Sequence, residues 1–259
     1  MARKHIIPLD LGDTSADKSL FYLRRGMGEV ERSKRIATYI EGADKKIVVD
    51  TGANIEKCLK YHPISKPEPL REDQGIVPQL AKVGVKPEDI DIVVLTHLHW
   101  DHVGNVSSFP NAQFILSRDE LRFALDPVPY LCLAYEALQV GMQPEILRVI
   151  DRIKVVDMEE REIAEGVKII PLPGHTPGSI GVVVETEDGP YVVAGDAVPK
   201  YQNIKGVPEE RLPYLISGIY TDMVAMWKSF ERVDEIIHHD FLRVIPGHDV
   251  LVFQKERYP

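Results

Sequence analysis

The stretch VVLTHLHWDHVGN, residues 93–105, sets His97, His99, Asp101 and His102 within six positions, directly behind an apolar run. A short apolar run bounded by turn residues reads as a buried strand. If His97 and His99 leave that strand with its two-residue period, both imidazoles point the same way. Asp101 and His102 then lie past the turn and face a second point a few ångströms off. Four donors cannot fill two metal shells, so other strand ends must supply the rest.

Three segments offer donors in the same setting. VKIIPLPGHTPGS brings His175, YVVAGDA brings Asp196, and LRVIPGHD brings His248. Each pattern is a buried strand, a glycine that permits close approach, then a metal-competent side chain. Five of the nine histidines belong to this set, and together they read as a metal centre. His5, His62, His238 and His239 lack the setting, and HHD at 238–240 reads as a solvated connection.

Composition narrows the class. With 44% hydrophobic residues in 259, the chain can bury a core without disulfides. Cys58 and Cys132 stand far apart in no C-x-x-C arrangement and read as reduced thiols of an intracellular protein. The apolar run near the start is broken by Pro8 and Asp10, so no signal peptide is expected. No window approaches the roughly 18 apolar residues of a membrane helix. A cytoplasmic location with no membrane partner is therefore expected. A net charge of −9 argues against a nucleic-acid partner and for a small-molecule substrate.

Elsewhere strands and helices alternate without a linker, which predicts one domain over 1–259. KHIIPLDL, RIATYIEG and KIVVD read as early strands, 75–84 as a short helix closed by Gly84, and AQFILS as another strand. A helix starts with Ser117 as N-cap and Glu120 three positions on. The run LAYEALQVGMQPEILRVI within 126–150 predicts a helical insertion near 117–150, covering one side of a cleft. VKIIPL, SIGVVVET and YVVAG follow as strands, with EDG as a hairpin turn between the last two. Met223, Met226, Trp227 and Phe230 recur at helical spacing and predict a helix packed on a sheet. LRVIPG is the last strand.

Taken in order, THLHWDH, GHTPGS, GDA and PGH resemble the metallo-β-lactamase-fold hydrolases over residues 47–249. The resemblance implies an α/β (α+β) architecture: a four-layer αβ/βα sandwich of two mixed β-sheets with helices outside and metals at the sheet edges. It implies that His97, His99 and His175 hold one metal, that Asp101, His102 and His248 hold a second, and that Asp196 bridges them. Asp50 of IVVDTG would be a supporting aspartate rather than a ligand. Nitrogen and carboxylate donors without thiolate suit two divalent ions, Zn²⁺ first, with Fe, Mn or Co able to occupy similar sites. Two cations sharing a water lower its pKa toward neutrality and polarise a carbonyl, so metal-assisted hydrolysis by a bridging hydroxide is the implied reaction. Asp101 would orient that nucleophile or pass a proton to the leaving group.

Within the family, exported β-lactamases, glyoxalase II relatives with basic C-termini and RNA-processing phosphodiesterases with basic surfaces fit less well. The segment between VVDTG and VVLTHLHWDH, and Asn203 with the helix at 221–233, are similar to the lactonases that open N-acyl-homoserine lactones. A lactone substrate is the expectation, with another ester, thioester or amide as the alternative, and an iron-dependent dioxygenase of this fold behind both. Those lactonases carry a tyrosine three residues after the bridging aspartate, where Pro199 stands here. Tyr201 becomes the candidate to hold the substrate carbonyl. Trp100 either walls the cavity or packs beneath the metal loop. Phe21, Tyr22 and Met27, with the loop RRGMGEV, are expected over the metals, and Tyr130 and Leu131 along another wall. A homodimer is a family-level expectation.

Overall fold

A computed structural model describes residues 3–62 and 68–259. Eleven strands among them build two mixed sheets. The first runs in the order β1 (His5–Asp17), β2 (Val30–Glu41), β3 (Ile47–Val49), β4 (Ile92–Val94), β5 (Gln113–Ser117) and β6 (Ile153–Val156). Its β1–β3 pairings are antiparallel and its β3–β6 pairings parallel. The second holds β7 (Arg161–Ala164), β8 (Val167–Pro171), β9 (Ile180–Thr186), β10 (Gly189–Gly195) and β11 (Val244–Pro246), with only β10 and β11 parallel. The helices are α1 (Ile55–Tyr61), α2 (Ile76–Lys82), α3 (Trp100–Val103), α4 (Arg118–Leu125), α5 (Tyr201–Lys205) and α6 (Met223–Ile236).

Strand periodicity explains the layers. In β3, Ile47 and Val49 face the second sheet while Val48 faces outward, and all three are buried. A strand covered on both faces is a continuous apolar run rather than an alternating one. Ile92, Val94 and Ile115 meet Ile169, Val182, Val184 and Ile245 between the sheets. Val93, Phe114 and Leu116 pack outward near Leu80 of α2 and Ala124 of α4. On the far side Ile170, Val183, Val192 and Val244 receive Met226, Phe230 and Val233 of α6. The result is the expected helix–sheet–sheet–helix sandwich.

Two local expectations are corrected. The stretch after α4 is no regular helix: a 3-10 turn at Pro129–Leu131 leads through turns to a second 3-10 segment at Glu145–Arg152. Pro127, Pro129 and Pro144 deny the backbone its helical donors, and Glu136 and Leu138 adopt positive φ. The segment still covers the cleft through Leu131 and Ala134. On α6 the buried stripe is Met226, Phe230 and Val233, whereas Met223 is exposed and Trp227 hydrogen-bonds Glu231 on the outer side. Asp222 caps this helix by accepting from Ala225 N at 2.9 Å.

Phe230 is fully buried between α6 and the second sheet. Phe230→Ala is expected to cost about 3–5 kcal/mol, as deletion of a buried aromatic side chain does. Denaturant unfolding of the two proteins measures it; a midpoint equal to that of the parent contradicts this packing.

Candidate metal centre

The donors converge because each follows a strand of one sheet or the other. His97, His99, Asp101 and His102 lie beyond β4, His175 beyond β8, Asp196 at the end of β10 and His248 beyond β11. Two of the expected glycines are confirmed by close approach. Gly174, with φ +134°, lies where a Cβ would sit 2.3 Å from the backbone of Met226, and at Gly247 a Cβ would sit 2.4 Å from Asp196 Oδ1. A side chain at either position would push its donor loop outward.

The outer hydrogen bonds fix which nitrogen faces inward. A carbonyl only accepts, so His175 Nδ1 donates to Ile219 O at 3.0 Å and His248 Nδ1 donates to Lys34 O at 2.7 Å. His102 Nδ1 donates to Asp50 Oδ2 at 2.8 Å. Thr96 Oγ1 spends its only proton on Asp50 at 2.8 Å, so at 3.1 Å it accepts from His97 Nδ1. All four rings therefore turn an Nε2 lone pair to the interior. His99 turns Nδ1 there instead, 3.1 Å from His97 Nε2 and 3.0 Å from His175 Nε2.

These atoms form overlapping clusters. His97, His99 and His175 are one group, Asp101, His102 and His248 another, and His97, His102 and Asp196 join them; within each, the donor atoms lie within 4.8 Å of one another. Asp196 reaches His248 Nε2 at 3.0 Å, His102 Nε2 at 3.3 Å and His175 Nε2 at 3.6 Å. His99 Nε2, His102 Nε2 and Asp196 Oδ1 are sealed from solvent yet complete no hydrogen bond. Converging lone pairs and carboxylates with too few protons among them fit divalent cations.

The electrostatics agree. Burial, reinforced by neighbouring imidazoles, holds His97 and His99 well below the ordinary histidine range. His175 is lowered chiefly by burial. His102 goes the other way: burial opposes its charge, but Asp196, Asp50 and Asp101 outweigh it and raise the pKa well above normal. Burial also works against the charge of Asp196, yet His248 and His102 hold it well below the carboxylate range. The Asp196 side of the cluster favours positive charge, and the His97–His99–His175 side stays neutral and able to ligate.

Asp50 sits at the end of β3 with φ +61°, a left-handed backbone that a non-glycine residue adopts at a cost. In return its carboxylate accepts from Thr96 N, Thr96 Oγ1 and His102 Nδ1, each at 2.8 Å. It orients His102 from outside and belongs to none of the clusters itself. Glu120 is a residue whose role the sequence did not reveal beyond a capping position. Fully buried, it accepts from Leu98 N at 2.9 Å, Tyr135 Oη at 3.1 Å and Thr176 Oγ1 at 2.6 Å. It thereby ties the His97–His102 loop to the His175 loop.

A cavity of about 180 Å³ opens on His99, Asp101, His175, Asp196 and His248. Leu20, Phe21, Trp100, Leu131, Ala134 and Ile219 give it apolar sides. Trp100 resolves to a cavity wall and also stacks on His62 at 4.3 Å between ring centroids. Tyr22 lines a different cavity, and Met27 and Tyr130 are exposed away from this one. Tyr201 is the main correction. Its buried hydroxyl meets Tyr258 Oη at 3.2 Å, its ring joins the core between the sheets, and it lines a separate cavity with Tyr22, Phe241 and Tyr258. Pro199 occupies the wall over the donors.

Comparison with known proteins bears on this geometry. The profile of the Metallo-beta-lactamase superfamily matches residues 36–248. An N-acyl homoserine lactonase of a Bacillus species is 29% identical over 182 residues, 70% of this chain and 64% of that protein. The match thus spans slightly under two thirds of the length of that relative. The N-acyl homoserine lactonase AiiB of Agrobacterium fabrum is 26% identical over 93% of this chain and 92% of its own length. A Bacillus thuringiensis AiiA variant, solved with N-decanoyl-L-homoserine at its active site, superposes with a TM-score of 0.75 at 23% identity, covering 98% of this chain and 96% of its own. AidC, a dizinc quorum-quenching lactonase, superposes at 0.68 and 17% identity over 96% and 89%.

Asp50→Ala is expected to weaken divalent-ion binding by about 10–100-fold, the usual loss when a residue orienting a ligand is removed. Chelator competition measures this, and unchanged affinity removes Asp50 from the site. Tyr201→Phe is expected to leave kcat and KM unchanged. A fall in kcat would return the Tyr201 hydroxyl to the reacting carbonyl.

Proposed function

The chain belongs to the metallo-beta-lactamase superfamily, and from that membership we propose that it is a dinuclear metal-dependent hydrolase that opens a lactone ring. The observation that carries the reading is the convergence of four inward Nε2 lone pairs, His99 Nδ1 and two carboxylates at one end of a small cavity. His97, His99 and His175 would hold one ion, Asp101, His102 and His248 the other, and Asp196 would span both. Zn²⁺ suits this all-nitrogen-and-oxygen set. Bound divalent ions supply Lewis acidity, activating a water and polarising the ester carbonyl.

The chain's own groups do the rest. Asp101 lies on the cavity wall, its Oδ2 3.7 Å from His248 Nε2 and its side chain 19% exposed. It takes the proton of the attacking water and returns it to the ring oxygen as the acyl carbon–oxygen bond breaks, leaving a hydroxy acid. Leu20, Phe21, Leu131 and Ile219 hold the apolar part of the substrate and exclude bulk water. Proline at 199 has no hydroxyl to offer the developing oxyanion. The named activities of the relatives and the small volume over the donors support a lactone rather than a larger ester.

A pH-indicator screen of the zinc-loaded protein against lactones, esters, thioesters and β-lactams tests the substrate class; lactones are expected to give the highest kcat/KM. Asp196→Ala is expected to lower that value by about 10³-fold or more, as loss of a preorganised electrostatic group does. Turnover at the parent rate in this variant, or oxygen consumption by a single bound iron in the parent, sinks the reading.

A further inference from the structure

Arg35, on β2, is 1% exposed and lines the cavity over the metal donors. One of its nitrogens is anchored: Nη2 donates to Asp13 O at 3.0 Å. Its Nε and Nη1 are sealed from solvent and make no hydrogen bond among the described residues. An arginine keeps its charge in a protein, and a buried cation without partners is costly.

The nearby acids are already committed. Lys34 lies 2.7 Å from both Asp10 and Asp13, and Arg71 bridges the same two at 3.2 and 2.5 Å. Asp101 belongs with His102 and His248. No carboxylate of the described chain forms an ion pair with Arg35. On the same wall stand the hydroxyl residues Thr14, Ser15 and Ser33, the last donating to His248 O at 2.9 Å. This wall is polar, whereas the walls of Leu20, Leu131 and Ile219 are not.

We propose that Arg35 is a specificity-determining residue that binds a carboxylate carried by the substrate at a point remote from the bond that is cut. The inference rests on the dinuclear hydrolase reading, in which the cluster donors would hold the ions that polarise the reacting carbonyl, so that Arg35 is left for a second group. The substrate class becomes a lactone or ester that bears a carboxylate. A guanidinium at the cavity wall supplies charge-assisted hydrogen bonds, the kind that holds carboxylates most strongly.

The test uses the zinc-loaded protein and two ligand series, the dicarboxylates succinate, glutarate and adipate, and monocarboxylates of the same chain lengths. In the wild type at least one dicarboxylate is expected to bind about 10–100-fold more tightly than its monocarboxylate, the worth of a charge-assisted hydrogen bond. Calorimetric titration reads the Kd values. Arg35→Met is expected to abolish the preference while leaving monocarboxylate binding unchanged, and Arg35→Lys to restore part of it. Equal binding of the two series by the wild type overturns the proposal, even if the variants do not fold. Equal losses for both series in Arg35→Met overturn it as well, because Arg35 would then serve the carboxylate that hydrolysis produces. The outcome does not depend on lactone turnover, so a failed lactone screen and a failed role for Arg35 are separate results.

Discussion

Imidazole nitrogens that must each present a lone pair to one shared interior are the constraint on which this structure turns. Their outer nitrogens are committed to a threonine hydroxyl, an aspartate and two backbone carbonyls. With those protons spent on the outside, the interior cannot be satisfied by hydrogen bonds alone. The folded chain is thus organised to receive positive charge, and much of the packing around the sheet edges serves to hold that arrangement. Asp50 accepts a left-handed backbone to keep His102 and Thr96 in place. Glu120 sits fully buried to tie the His97–His102 and His175 loops together, although burial raises its pKa against the four hydrogen-bond donors that lower it.

Two sheets are needed for this because no single strand end carries enough donors. The first sheet delivers the loop after β4, and the second delivers residues after β8, β10 and β11. Parallel pairing of β3 with β4 and of β10 with β11 sends these strand ends toward the same edge. Close approach of the loops then depends on glycine, as Gly247 against Asp196 illustrates. The helices α2, α4 and α6 cover the outer faces and leave the edge itself open to the cavity.

The side chains that cluster here were legible in the sequence because each obeys the same local rule: an apolar strand, a tight turn, a donor. Buried strands advertise themselves by composition, and metal-competent side chains are few. Tyr201 was illegible because its direction is set by tertiary contacts. Asp249 Oδ2 accepts from Tyr201 N at 2.9 Å and Asn203 Oδ1 accepts from Lys200 N at 2.9 Å, starting α5 so that the ring turns into the core. The stretch 126–144 misled for a different reason: apolar spacing suggested a helix, and three prolines with two left-handed residues overrode it. Short strands such as β6 and β7 went unread since IKVV and REIA carry charge at exposed positions. Arg35 begins the strand RIATYIEG and had no signal of its own in the sequence; only the fold shows it buried beside the cavity over the His and Asp donors.

Metal content tests the dinuclear centre most directly. After loading with zinc and removal of loosely held ions, elemental analysis of the protein is expected to find two zinc ions per chain. A saturating stoichiometry of one ion per chain, with the second group of donors left without metal, contradicts it.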